Sequence, residues 1–291
     1  MLGEWFGYIL SGRTDLHKIF LMVGPPRGGR GLIARIETTL IGERNVCGPK
    51  AASLEDNKLE PLIGKALAVI GDMRATLKNQ GAVETMLSIS GEDTLTIDRK
   101  YREAWTGKLP TRIHIISNEL PRLADASTAI VSRLVILLTT ESWLGREDHD
   151  LENKIRKEMT GILNWALDGL YRLTVTNKNR FTLFAEADDA IRTMQDLASP
   201  VRAFVRERCK IGAHEEGVDE FQIKVDELYS TYKFWCEDAE QRKFSKVHFG
   251  RDFRAAFPSI KKRRLGDKKR YFVYEGIRLR KDEDEDEADD V

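Results

Sequence analysis

Three short apolar runs, each followed at once by glycine or polar residues, constrain the fold of this chain more than any other feature. The runs are Ile19–Val23, Ala66–Ile70 and Ile113–Ile116. Runs of this length without polar alternation are typical of strands that are buried on both faces of a sheet. Segments with helical periodicity separate them, and strands that alternate with helices predict an α/β fold with a mainly parallel sheet.

The remaining elements extend this pattern into a first domain over residues 1–198. Its predicted helices are 1–12, 31–41, 82–89, 125–132, 148–173 and 186–198. Its predicted strands are 18–23, 66–70, 94–97, 112–116 and 134–138, with 99–108 returning as a hairpin. Ser199-Pro200 is the predicted linker, because the residue before proline disfavours helical geometry.

Residues 199–281 predict a smaller α+β domain. Its expected elements are helices 201–209, 218–239 and 246–257, then a hairpin formed by 260–265 and 270–274. Ser245 is a suitable cap for the third helix, and Pro258 ends it. Three helices followed by a hairpin describe a winged helix-turn-helix. Phe249, Phe253 and Phe257 recur every four residues, which favours a place in its core. Residues 282–291 form an acidic tail that is expected to be disordered.

Composition excludes several classes of protein. No apolar run reaches the roughly 18–20 residues of a membrane span, and the start lacks the pattern of a signal peptide. Cys47, Cys209 and Cys236 are scattered, which disfavours a disulfide framework. The five histidines form no ligand-spaced pair with them, which disfavours a zinc site. We therefore expect a protein of the cytoplasm, without membrane contact.

A net charge of zero conceals a strong asymmetry along the chain. Residues 242–281 hold fifteen Lys or Arg and three acids, whereas 282–290 hold eight acids. Interleaved aromatic residues in the basic stretch favour nucleic-acid binding over a merely solvated surface. The predicted contacts are Lys246, Arg251 and Arg254 on the third helix, and Lys262, Arg263, Arg264, Lys268 and Lys269 on the wing. The tail is either solvated chain or a competitor of nucleic acid for this basic face.

The glycine-rich segment after the first apolar run resembles a phosphate-binding loop. It reads Gly24, Pro25, Pro26, Arg27, Gly28, Gly29, Arg30 and Gly31. Glycines let backbone N–H groups surround phosphate oxygens at the start of a helix. The usual pattern ends in Lys followed by Ser or Thr, but here Arg30 and Gly31 hold those positions. Arginine keeps the charge, whereas glycine offers Mg²⁺ no oxygen. The alternative is an ordinary strand-to-helix turn.

Three later residues have the chemistry of a nucleotide-hydrolysing site. Asp72, at the end of a buried strand, is a candidate Mg²⁺ ligand, and a plain loop residue is its alternative. Asn118 ends the third apolar run, where an amide can orient water or contact a γ-phosphate, and a turn former is its alternative. Arg133 is a candidate to reach a neighbouring subunit's nucleotide, and a surface cation at a helix end is its alternative.

The hairpin predicted over 94–108 carries basic and aromatic residues near its tip. Arg99 and Lys100 are suited to the phosphates of single-stranded nucleic acid, and neighbouring rings to its bases. The alternative is a solvated hairpin whose Tyr101 and Trp105 lie in the core.

The block from Ser88 to Arg133 resembles the phage and plasmid primase–helicase family, a superfamily III branch of the AAA+ ATPases related to poxvirus-type primase–helicases. The motifs are GED…DRKYREAW, IHIISNELP and the late Ser-Arg. The resemblance implies an AAA+-type P-loop core that hydrolyses ATP with Mg²⁺ and forms a hexameric ring on single-stranded DNA. By this resemblance, 24–31 corresponds to the Walker A loop, Asp72 to the Walker B acid, Asn118 to the sensor and Arg133 to the arginine finger.

The leading hypothesis is therefore an ATP-dependent replicative helicase of a phage, plasmid or prophage in a bacterial cell. Origin duplex DNA is a further expected partner, through the winged helix. A separate primase is another, because proteins of this family usually carry a primase domain upstream, and this chain is expected to be a fragment, a split product or a decayed copy. Arg30 and Gly31 favour an alternative, a nucleotide-binding but non-hydrolysing DNA-binding or origin-recognition protein. A third reading is an AAA+ regulator that binds promoter DNA.

Overall fold

The protein is described by a computed structural model over residues 1–55, 58–71, 76–77, 80–123, 128–212, 221–241, 243–266 and 270–281. The chain divides into two compact units, Met1–Met194 and Gln195–Val291. The predicted linker at Ser199-Pro200 lies shortly after this division. The predicted acidic tail falls outside the described residues.

The first unit contains nine strands within its described part. They are β1 (Ile19–Val23), β2 (Val46–Cys47), β3 (Leu67–Ile70), β4 (Thr76–Leu77), β5 (Leu95–Arg99), β6 (Arg102–Gly107), β7 (Arg112–Ser117), β8 (Arg122–Leu123) and β9 (Leu134–Leu138). The main sheet has the order β2-β3-β7-β1-β9, and each neighbouring pair in it is parallel. The predicted parallel sheet of an α/β fold is confirmed.

Helices precede, connect and follow these strands. They are α1 (Leu2–Ser11), α2 (Arg30–Ile41), α3 (Ala51–Glu55), α4 (Gln80–Ser90), α5 (Thr128–Arg133), α6 (Leu151–Lys157), α7 (Met159–Tyr171) and α8 (Ala185–Ala198). A π-helical turn, Arg172–Thr176, follows α7. The helix predicted over 148–173 is therefore two helices and this turn. On its expected buried side, Leu151 and Leu163 are exposed.

Alternation along the central strands gives the sheet two apolar faces. Ile19, Leu21 and Val23 of β1 belong to the cluster on one face, whereas Phe20 and Met22 belong to the cluster on the other. Successive side chains of a strand point to opposite faces, and both faces here are covered. This is why the apolar run of β1 shows no polar alternation.

The second unit is a set of helices and short antiparallel sheets. Its elements are α9 (Pro200–Arg208), β10 (Cys209–Ile211), β11 (Gln222–Lys224), α10 (Val225–Asp238), α11 (Lys246–Ala256), β12 (Lys261–Leu265), β13 (Tyr271–Glu275) and β14 (Ile277–Leu279). β11, β13 and β12 form one antiparallel sheet, and β10 pairs with β14.

Most predicted elements of this unit are present, with one correction. The helix predicted over 218–239 begins only at Val225, because residues 222–224 pair with β13 as a strand. The side chain of Ser245 caps α11 by accepting from the His248 N–H. Phe249 and Phe253 are fully buried in an aromatic core with Phe204 and Tyr232, as their spacing predicts. Phe257 packs at its edge.

Candidate functional site

The strand register brings three chain segments to one edge of the main sheet. Val23 at the end of β1 pairs with Ser117 of β7 on one side and with Leu138 of β9 on the other. The residues that follow these strands therefore begin side by side. They are the glycine-rich loop 24–29, Asn118, and the segment from Thr139 onward. The sheet thus gathers residues that lie far apart in the sequence.

The glycine-rich loop turns tightly from β1 into α2. The Gly24 N–H donates to the Ser117 carbonyl at 3.3 Å, and the Gly28 N–H to the Pro25 carbonyl at 3.2 Å. Arg27 and Gly29 have positive φ angles of 62° and 82°, a region that glycine adopts without strain and other residues seldom adopt. The loop delivers the chain to the start of α2, whose first N–H groups have no acceptor within the helix.

The segment after β9 supports this loop through both backbone and side-chain groups. The Ser142 hydroxyl donates to the Pro26 carbonyl at 2.8 Å, and the Trp143 N–H to the Arg27 carbonyl at 3.3 Å. The Arg27 guanidinium also pairs with Glu147, with Nε 3.4 Å from Oε1. The sequence reasoning missed this support. These contacts depend on the path of the chain after β9, which leaves no motif in the sequence.

A buried polar contact fixes α2 against the sheet. Glu37 of α2 accepts a 3.0 Å hydrogen bond from the Trp5 indole, and its other oxygen lies 2.7 Å from His114 Nδ1 on β7. All three side chains are fully buried. Since a buried carboxylate is costly unless it is hydrogen-bonded, these contacts hold α2 in one position on the sheet. His114 therefore has a structural role here, consistent with its lack of a zinc-type spacing.

Arg30 is the central side chain of the site. It is 6% exposed, and its Nη2 donates to the Pro25 carbonyl at 3.0 Å and to Asn118 Oδ1 at 2.6 Å. Its Nη1 is buried without a hydrogen-bond partner. No ion pair found among the described residues includes Arg30. Burial lowers the pKa of its guanidinium, but an arginine stays charged at physiological pH. Among the residues that the structure describes, this buried cation has no acidic partner.

This arrangement fits a phosphate better than it fits a metal. A buried guanidinium with an unused N–H donor, beside the positive end of a helix, is suited to an anion. Gly31 supplies no oxygen, although a Cβ there would meet only Arg35 Nη1 at 3.5 Å. Asp72, the predicted Mg²⁺ ligand, lies outside the described residues. Within the described part of the chain, no cluster of three or more His, Cys, Asp or Glu could hold a metal.

Arg133 makes its contacts within its own chain. It ends α5, is half-buried, and its Nη1 donates to the Leu87 carbonyl and, at 2.8 Å, to Ser90 Oγ. Both acceptors lie in the last turn of α4, where a cation interacts favourably with the helix dipole. This position corresponds to the alternative of a cation at a helix end. A role at a neighbouring subunit's nucleotide requires Arg133 to leave α4.

The predicted hairpin carries its most exposed residues at its tip. β5 and β6 pair antiparallel, with Arg99 opposite Arg102, so Arg99 ends the first strand rather than beginning the return. Tyr101 is 92% exposed, and Lys100 Nζ lies 5.0 Å from the centre of its ring. Ile97 is buried and anchors the base of the hairpin. Tyr101 is therefore outside the core, whereas Trp105 packs against the core.

The three predicted basic contacts of α11 are all exposed, and each has a partner within the chain. Lys246 pairs with Asp226, Arg251 Nε lies 3.1 Å from Asp252 Oδ1, and Arg254 Nε donates to the Gly250 carbonyl at 3.0 Å. Exposed ion pairs of this kind stabilise little. These cations can therefore exchange their partners for phosphates at small cost.

β12 presents a row of exposed cations. Lys262 Nζ and the Arg264 guanidinium lie 4.4 and 6.0 Å from the ring centre of Phe272, which is itself partly exposed. Arg263 Nη1 lies 3.3 Å from Glu275 Oε1. Lys268 and Lys269 lie outside the described residues. The described strand thus combines cations and an accessible ring, the combination that favours nucleic acid over a merely solvated surface.

Two family models match segments of the chain that contain these candidate residues. A family of unknown function, DUF5906, matches residues 22–133, which run from β1 through the loop, the hairpin and Asn118 to Arg133. The RFX DNA-binding domain matches residues 208–281, which include α10, α11 and β12. Each match covers less than half of the chain.

Solved structures share the fold at low sequence identity. One apo structure of the C-terminal region of NrS-1 is 13% identical, with a TM-score of 0.57 over 94% of this chain and 70% of that one. Another, of its residues 305–718, is 12% identical, with a TM-score of 0.58 over 95% and 70%. A JCV helicase bound to a small molecule is 15% identical over 71% and 64%, and its TM-score of 0.38 is too low to establish a common fold. The NrS-1 likeness shows the fold of this chain.

Proposed function

We propose that this protein is an ATP-dependent DNA helicase that acts in the replication of a phage, plasmid or prophage. The main observation behind this proposal is that the glycine-rich loop, Arg30 and Asn118 lie together at one edge of a parallel sheet. Ligands of open α/β sheets bind beyond the carboxyl ends of the strands. The resemblance to superfamily III, poxvirus-type primase–helicases supports ATP as the nucleotide.

Each candidate site residue has a role in the proposed helicase. Backbone N–H groups of 24–31 and the start of α2 bind the phosphates. Asn118 orients the attacking water, and Asp72 is the proposed ligand of the Mg²⁺ that hydrolysis requires. Arg133 acts on a neighbouring nucleotide in a hexamer once it leaves α4. A separate primase completes the replication machinery.

DNA contacts are assigned to both units. Arg99 and Lys100 contact the phosphates of single-stranded DNA, and Tyr101 at the same tip is suited to stacking on a base. In the second unit, α11 and β12 bind duplex DNA as a winged helix-turn-helix, with the helix in the groove and the strand on the backbone. The RFX DNA-binding match over 208–281 supports this part.

Steady-state ATP hydrolysis by the full chain tests the proposal. Purified protein is assayed with Mg²⁺, with and without single-stranded DNA, beside Asp72→Ala as the inactive control. Turnover that DNA stimulates, and that Asp72→Ala abolishes, is the expected result. Absence of turnover in the wild-type chain, with DNA binding retained, would refute the helicase.

A second candidate is a DNA-binding or origin-recognition protein that binds nucleotide without hydrolysing it. Gly31, which offers no hydroxyl, and Arg133, which is held by α4, favour it. Arg30→Lys separates the two proposals. Hydrolysis that appears only in this variant means that the natural loop has lost turnover, whereas equal hydrolysis in both forms supports the helicase.

A further inference from the structure

We propose that Arg30 binds the phosphates of a nucleotide without a metal at the loop, and that the phosphates compete with Asn118 for its guanidinium. The inference rests on the nucleotide site of the proposed function, and it concerns binding rather than turnover. It assigns Arg30 a role that the usual phosphate-loop lysine, a point charge without a planar fork, does not share.

The first support is the charge balance around Arg30. Its side chain is more than nine-tenths buried and joins no ion pair found among the described residues. Its Nη1 has neither solvent nor an acceptor. A buried charge is costly unless it is paired, and a buried donor is costly unless it is bonded. A phosphate supplies both the negative charge and the acceptor oxygens that this guanidinium lacks.

The second support is the hydrogen bond that holds Arg30 in place. Nη2 donates to Asn118 Oδ1 at 2.6 Å, and Nη1 is closed off from solvent. A phosphate that bonds to Nη1 therefore requires the guanidinium to turn, and that turn breaks the contact between Nη2 and Asn118. Binding of phosphate and release of the Asn118 amide are thus one event. The Asn118 Oδ1 loses its contact with Arg30 only when the loop is filled.

The third support is the absence of a metal ligand at the loop. Gly31 holds the position where a Ser or Thr hydroxyl would face Mg²⁺, and a Cβ there would make only an ordinary contact with Arg35. In the described residues of the loop, the phosphate charge is met by Arg30 and by the positive end of α2. Affinity for a diphosphate group should therefore depend little on Mg²⁺.

Calorimetric titration of the full chain with ADP and with inorganic pyrophosphate, in EDTA and in Mg²⁺, tests the inference. We expect the wild-type affinities to differ by less than about twofold between the two conditions. Arg30→Gln should weaken binding in EDTA by at least roughly tenfold, the value of a hydrogen bond between charged groups. Asn118→Ala should strengthen it severalfold, because the competing acceptor is gone. Arg156→Gln, an exposed arginine bound to Glu152, is the matched control and should change nothing.

Three results would overturn the inference. They are binding that needs Mg²⁺, binding that Arg30→Gln leaves intact, and an Asn118→Ala variant that binds more weakly, which would make Asn118 a direct phosphate contact. Melting temperatures show whether Arg30→Gln is folded, and the exposed Asn118 gives a second, independent variant. A chain that binds ADP in EDTA but does not hydrolyse ATP refutes the helicase and leaves this inference standing.

Discussion

Gly24 and Gly31 lie at opposite ends of the same loop and have opposite surroundings. A Cβ on Gly24 would lie 2.0 Å from Thr139 Oγ1 and 2.2 Å from its carbonyl oxygen. Real Cβ atoms do not approach so closely, so β9 and β1 would have to separate. A Cβ on Gly31 would make only an ordinary contact with Arg35. The first glycine is therefore required by packing, whereas the second is not.

This contrast gives a matched pair of variants. Gly24→Ala should lower the free energy of unfolding by about 1–3 kcal/mol, the usual cost of overpacking a close-packed site. Gly31→Ala should leave it unchanged or raise it by about 0.5–1 kcal/mol, because alanine favours a helix start more than glycine does. Urea denaturation of both variants measures the two changes. Equal destabilisation by both would contradict the loop geometry.

The boundaries of four elements around the site were predictable from their apolar patterns. β1, α2, β7 and β9 each span at least five residues, and the structure gives them within one residue of the sequence boundaries. β11 has three residues, too few to show alternation, and the adjoining helical pattern extended across it. Short strands of this kind are stabilised by pairing, which is a property of the fold.

The sequence indicated candidate residues for the site but not their contacts. The order of glycine-rich loop, Asn118 and Arg133 predicted which residues to examine. The hydrogen bond between Arg30 and Asn118 joins positions 88 residues apart, and only strand order brings them together. Likewise, the contacts of Arg133 with α4 depend on how that helix packs. Sequence spacing carries no information on either.

Because Tyr101 is exposed at the hairpin tip, its removal should affect DNA binding without affecting the stability of the fold. Tyr101→Ala should weaken binding to a single-stranded oligonucleotide by about 1–3 kcal/mol, the usual contribution of one stacked base. Its melting temperature should stay that of the wild-type chain, because the ring is 92% exposed. Fluorescence anisotropy with a labelled oligonucleotide measures the affinity.

Tyr171→Ala is the control for the hairpin. Tyr171 is also a largely exposed tyrosine, at the end of α7, and its removal should not affect the affinity. Equal losses in the two variants would mean that the tip has no special role in binding DNA.

For DNA binding by the whole molecule, the distribution of charge along the chain matters more than the net charge. The chain is neutral overall, yet β12 displays a dense row of cations. Within the described residues, no helix is long and apolar enough to cross a membrane. Since DNA affinity depends mainly on how many phosphates a surface neutralises, a neutral chain with this local density can still bind DNA strongly.

The salt dependence of duplex binding tests this surface. Removing Lys262 and Arg264 together should lower the slope of log affinity against log salt by about 2, roughly one for each lost phosphate contact. The double variant Lys154→Ala and Arg156→Ala removes two cations that are already paired with Asp148 and Glu152, and should leave the slope unchanged. An unchanged slope in the β12 variant would exclude it from the interface.

The support of the glycine-rich loop by residues 139–147 has a consequence for evolution. Part of that support passes through main-chain atoms, as in the contact between the Trp143 N–H and the Arg27 carbonyl. Substitutions in the supporting segment preserve such contacts as long as its path is kept. Divergent relatives should therefore conserve the length of this segment better than its residues, and an insertion there should be rarer than a substitution.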